Sequence, residues 1–166
     1  MPTEVKFRLA GGAQPLILVP ASVNGDGPHE FILDTGAGLS LLTPELAEHL
    51  GVKATESKEG MGAGGKVTIS LGVAESLSIG QARIESVQVG ITDEVKRIGA
   101  AIGAMVDGDI GYDYLKNFRL TIDYEKATKK FSGFTQKRAW YESEPPCGSD
   151  TVRARAALLW LIYIPS

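Results

Sequence analysis

Asp34 stands where a carboxylate can do chemistry. It follows three apolar residues, Phe31-Ile32-Leu33, and precedes Thr35-Gly36-Ala37, so an extended run ends in a turn that Gly36 permits. A carboxylate so placed is a group that can take up or give a proton. The same three residues also have a plainer reading, an ordinary turn in which Asp34 or Thr35 bonds a nearby backbone amide.

Other candidate motifs dissolve on inspection. Gly60-Met61-Gly62-Ala63-Gly64-Gly65 matches the G-x-G-x-x-G pattern of dinucleotide sites, but that chemistry needs an apolar strand before it and a helix after it. Charged Glu56-Ser57-Lys58-Glu59 precedes it and alternating Val67-Thr68-Ile69-Ser70 follows, which suits the tip of a hairpin. Asp107-Gly108-Asp109 opens like a calcium loop, yet Tyr112 and Phe118 fill the positions that need glycine and glutamate. His29 and His49 have no nucleophile arranged near them and read as surface histidines. With one cysteine, Cys147, and no Cys/His cluster, the sequence offers neither an internal disulfide nor a metal ligand set, and no cofactor is expected. A reducing cytoplasm fits that usage. A net charge of -3 with scattered Lys and Arg gives no footprint for a nucleic acid backbone.

The elements that must position Asp34 are strands. Val5, Phe7 and Leu9 alternate, Leu16 to Val23 forms a second run, and Asn24-Gly25 favours the positive φ angles of a tight hairpin turn. Phe31-Ile32-Leu33 therefore returns as an antiparallel strand with Asp34 at its end. Thr43-Pro44 marks the start of a short helix closing at Gly51. Val67, Ile69 and Leu71 alternate, Gly80-Gln81 punctuates, and Ile84, Val87, Val89 and Ile91 follow as another strand. A glycine-rich stretch comes next, then a second short helix over Tyr112 to Phe118 and a strand through Leu120, Ile122 and Tyr124. At 166 residues and 43% hydrophobic composition, one mainly β domain is the default. It spans residues 1–134, followed by a C-terminal extension, 135–166, that is linker-like around Glu144-Pro145-Pro146 and apolar from Ala156. That apolar end is too short to span a bilayer and is expected to be disordered or loosely packed. No secretory signal is read at the start.

Taken in order, Asp34-Thr35-Gly36, the glycine-rich segment and Asp109-Ile110-Gly111-Tyr112-Asp113-Tyr114-Leu115 resemble the single-domain retropepsin-like aspartic proteases over roughly residues 5 to 134. The resemblance implies a closed, barrel-like acid protease fold with one or two short helices, one lobe of a two-fold homodimer. It implies Asp34 as the catalytic residue, Thr35, Gly36 and Ala37 as the active-site loop, and Met61, Gly62, Ala63, Gly64 and Gly65 as a substrate-binding flap. Ile110 and Gly111 would form the wall of the cleft. The motif occurs once, where a two-lobed enzyme would carry two, so the second aspartate must come from another copy of the chain. The implied partners are a second copy and an extended peptide or protein substrate. A dimeric β domain that binds peptides without cleaving them is the alternative.

Two positions depart from the family's pattern. Gly38 replaces a usual hydroxyl residue, for which Ser40 is the nearest substitute, and Asp109 replaces an apolar residue. Because aspartate is rarely buried, Asp109 is expected to face solvent beside Gly108.

Overall fold

Asn24 and Gly25, with φ of 53° and 79°, make the tight turn their sequence favours, joining β3 (Leu16–Val23) to β4 (Asp26–Leu33) in antiparallel register. Two short strands, β1 (Thr3–Lys6) and β2 (Arg8–Ala10), precede this hairpin. After it come β5 (Leu41–Leu42), α1 (Pro44–His49), β6 (Ala54–Gly62), β7 (Gly65–Ile79), β8 (Ala82–Ile91) and α2 (Glu94–Ile102). The order ends with β9 (Gly108–Ile110), α3 (Tyr112–Leu115), β10 (Phe118–Asp123), β11 (Thr128–Gly133) and β12 (Ile162–Tyr163). The structure is a computed structural model that describes residues 3–62, 64–124, 128–133 and 162–163.

The larger sheet has nine strands in the order β12-β6-β7-β8-β5-β9-β4-β3-β2, and an added pairing of β7 with β3 closes its middle strands into a ring. Closure removes the open edges that would otherwise present unpaired amides, and the expected barrel is the result. Asn24 fastens the seam: its Oδ1 accepts from the Glu75 and Ser76 amides, and its own amide donates to Ser76 O. A smaller sheet, β1-β11-β10, packs alongside.

Strand alternation sorts the apolar residues into two cores. Phe31, Leu33, Leu42, Ile110 and Tyr114 belong to the larger, while Ile32, Leu41, Ile69, Val95 and Val106 belong to the smaller.

Helix α1 starts as the sequence indicates, with the Thr43 hydroxyl accepting from the Leu46 amide at 3.3 Å and Pro44 in the first turn. The second expected helix is shorter than predicted, since Phe118 already begins β10. Helix α2 was not expected, so three helices stand where one or two were anticipated. Its glycines read as punctuation but serve packing. A Cβ on Gly99 would lie 2.6 Å from Ala104 O and 2.7 Å from Val106 Cγ2, and Gly103, with φ of 68°, ends the helix.

Residues 135–161 and 164–166 of the C-terminal extension, Cys147 among them, lie outside the described residues. The backbone of β12 pairs antiparallel with β6, Ile162 opposite Gly62 and Tyr163 opposite Met61. No helix among the described residues is long and apolar enough to cross a membrane.

Candidate active site

The site is built where β9 slots between two strands. Asp109 pairs with Ile32 of β4 in parallel and with Leu41 of β5 in antiparallel register, placing β9 in mid-sheet. The loop from Asp34 to Ser40 wraps around the exit of β9. Asp34 N donates to Ile110 O at 3.0 Å, Tyr112 N to Ala37 O at 2.7 Å, and Gly111 N to the Ser40 hydroxyl at 3.0 Å. Only glycine fits at 111, because a Cβ there would lie 2.7 Å from the Leu39 carbonyl carbon and 2.8 Å from its oxygen. Gly111 therefore belongs to the loop's foundation. Ile110, expected on the cleft wall, is wholly buried in the larger core and contributes packing there.

Asp34 is buried at this junction with 6% of its surface exposed. Its Oδ1 accepts from the Gly36 amide at 2.8 Å, the small turn that the sequence permits. Its Oδ2 has no hydrogen-bond partner among the described residues. Burial pushes the carboxyl above the ordinary aspartate range, and the amides of Gly36 and Ala37 pull partly against that shift. One oxygen is thus anchored and the other has no partner among the described residues. Thr35 beside it is exposed and Ala37 is buried, so the loop presents its hydroxyl and tucks in its methyl.

Asp109 does not face solvent. It is completely buried, with neither carboxylate oxygen hydrogen-bonded among the described residues. The reason is topological: its strand lies between β4 and β5, and its side chain shares a face with Ile32 and Leu41, which front the smaller core. Burial drives its pKa well above the usual carboxylate range, and the negative charges of Asp34 and then Asp113 drive it further.

Sequence reasoning passed over Asp113. Its Oδ1 accepts from the Ser40 hydroxyl at 2.7 Å, and that hydroxyl in turn accepts from Gly111 N. Ser40 thereby ties the Asp34 loop to α3 from the inside, a structural role, whereas Gly38 is exposed with open space around it. The spacing from Gly111 to Asp113 was visible in the sequence, but its connection to Ser40 is made only by the fold.

The glycine-rich segment is a hairpin. Strands β6 and β7 pair from Ala54 to Gly62 against Gly72 to Gly65, and the outward strand is almost wholly exposed. Met61, near the tip, is 51% exposed; Gly62, Gly64 and Gly65 complete the turn, and Ala63 lies outside the described residues. His29 and His49 both approach Asp26, at 2.9 and 3.4 Å. No cluster of three or more potential metal-ligating side chains occurs among the described residues.

A family model described as aspartyl protease matches residues 19–114, more than half of the chain and the stretch that carries both the Asp34 loop and β9. The chain belongs to the aspartyl protease family. Among solved structures, this family member is similar to a retropepsin-like aspartic protease from Rickettsia conorii, with a TM-score of 0.52 and 22% identity over 79% of this chain and 91% of that one. That likeness establishes a retropepsin-like fold. It also aligns with the retroviral protease-like domain of Ddi1 from Leishmania major, at a TM-score of 0.41 and 16% identity, covering 72% of this chain and 94% of that one. No curated protein matches it.

Proposed function

We propose that the chain is an aspartic endopeptidase whose catalytic centre forms when two copies meet and bring their Asp34 loops face to face. The observation that carries this reading is the state of Asp34: buried at the end of a strand, one oxygen fixed by Gly36 and the other unpartnered among the described residues. In such a pair the ionised carboxyl takes a proton from a water as that water attacks the peptide carbonyl, and the protonated carboxyl gives its proton to the carbonyl oxygen. Proton transfer to the departing nitrogen then breaks the C–N bond. The single Asp-Thr-Gly string supports the homodimer, since a chain with one such loop supplies one such aspartate. Exposed Thr35 and Tyr112 flank the loop and offer surface for the second copy.

The β6–β7 hairpin, with Met61 exposed at its tip, serves in this reading as the flap over an extended peptide held by main-chain hydrogen bonds. Cleavage of a peptide library by the wild type and Asp34→Asn, from acidic to neutral pH, tests the proposal. Wild-type cleavage that Asn abolishes is expected, with activity per chain rising as sedimentation shows dimer forming. Equal cleavage by both proteins would refute the assignment, and peptide binding without cleavage would support the binding-only alternative. A cytoplasmic location accords with the lone cysteine.

A further inference from the structure

The Asp34 loop is only as fixed as the strand it hangs on, and that strand carries an oddity. Asp34 N donates to Ile110 O, and Gly111 N to Ser40, so β9 supplies the loop's anchorage on both sides. Asp109 is the middle residue of β9, fully buried, with two oxygens that find no partner among the described residues. Leaving buried polar atoms unpaired is costly, and an apolar side chain among Ile32, Leu41, Ile69, Val95 and Val106 would avoid the cost. Two titratable groups act on it, Asp34 from the end of β4 and Asp113 from α3, and both carry the sign that opposes its ionisation. The remaining neighbours on its face are Ile32 of β4 and Leu41 of β5, and the core they front, formed with β7, α2 and Val106, presents apolar residues.

We propose that Asp109 is a positioning residue for Asp34: as a neutral carboxyl it lets β9 stay seated between β4 and β5, and when it loses its proton the seam loosens and releases the Asp34 loop. The consequence for activity rests on the protease reading above; the consequence for the seam does not. A negative charge at position 109 would stand in an apolar pocket beside two other carboxylates, with no cation among the described residues to meet it, and the cheapest escape is separation of β9 from its neighbours. The site would then be competent at low pH and disarmed as pH rises.

The experiment compares wild type, Asp109→Asn and Asp109→Leu in the full chain. Amide hydrogen exchange at Asp34 and Gly111, corrected for intrinsic rates, is followed across pH, with kcat/KM measured in parallel on a peptide that the wild type cleaves. Wild-type protection at these two amides should fall as pH rises, by roughly tenfold per pH unit where one proton governs opening, while both variants hold it. The alkaline limb of the cleavage profile should move to higher pH in Asp109→Asn, with the acidic limb unmoved. The proposal is overturned if Asp109→Asn loses protection with pH as the wild type does. It is equally overturned if protection is rescued and the alkaline limb stays in place. If no peptide is cleaved by any of the proteins, the protease reading fails separately and the exchange measurement alone decides on Asp109. Asp109→Leu guards against an effect peculiar to the Asn amide.

Discussion

Replacing Asp109 with Asn changes one oxygen for an NH2 group, leaves the shape nearly intact and removes the proton whose cost the fold bears. The wild-type carboxyl titrates well above the ordinary range when folded and within it when unfolded, because burial and the charges of Asp34 and Asp113 vanish on unfolding. Between those two values the native state holds a proton that the unfolded state has lost. Stability therefore is fully present below the unfolded pKa, near about 4, and declines as pH rises toward the folded value. One proton gives a steepest slope of about 1.4 kcal/mol per pH unit, which for a chain of this size is a fall in Tm of roughly 3–6 °C per unit. Asp34 adds a gentler slope of the same sign, since the Gly36 and Ala37 amides offset part of its burial. Urea unfolding of the wild type and Asp109→Asn at several pH values measures the difference directly. The two stability curves should diverge above about pH 4 by up to about 1.4 kcal/mol per unit, with the variant the more stable at neutral pH. Parallel curves would show that the carboxyl at 109 has an ordinary environment and would refute the burial reasoning.

Tyr114 is fully buried, and its hydroxyl donates to Ala82 O at 2.6 Å and accepts from Ile79 N at 3.1 Å, clamping α3 to the turn between β7 and β8. Tyr114→Phe should cost about 2 kcal/mol by urea unfolding, since both backbone groups are left unpaired, and a loss under about 0.5 kcal/mol would mean that water replaces the hydroxyl. Glycines divide sharply: a Cβ at Gly108 would come within 2.1 Å of the Phe31 ring, whereas one at Gly38 meets nothing within 4 Å. Gly108→Ala should lower Tm strongly and Gly38→Ser should leave it unchanged, as thermal melts of both would show.

Local patterns in the chain determined much of the architecture. Asn24-Gly25 carries the φ values of a hairpin turn, Thr43-Pro44 carries a helix start, and alternation through Val67, Ile69 and Leu71 carries a strand, because each depends on a few neighbouring residues. Asp34 at a strand end before a turning glycine was legible for the same reason. Helix α2 was not, since Gly99 and Gly103 look like breakers until Val106 and Ala104 are seen packing against the first of them. The fate of Asp109 was equally hidden. An aspartate between Gly108 and Ile110 is an exposed residue by composition alone, and only the insertion of β9 between β4 and β5, joining segments far apart in sequence, encloses it. Tertiary structure also decided that Ile110 serves the core, that Ser40 bridges Gly111 to Asp113, and that a second carboxyl, Asp109, is enclosed where burial drives its pKa upward. The turn at Asp34 was written in the string; its burial and its anchorage come from strands that the string does not contain.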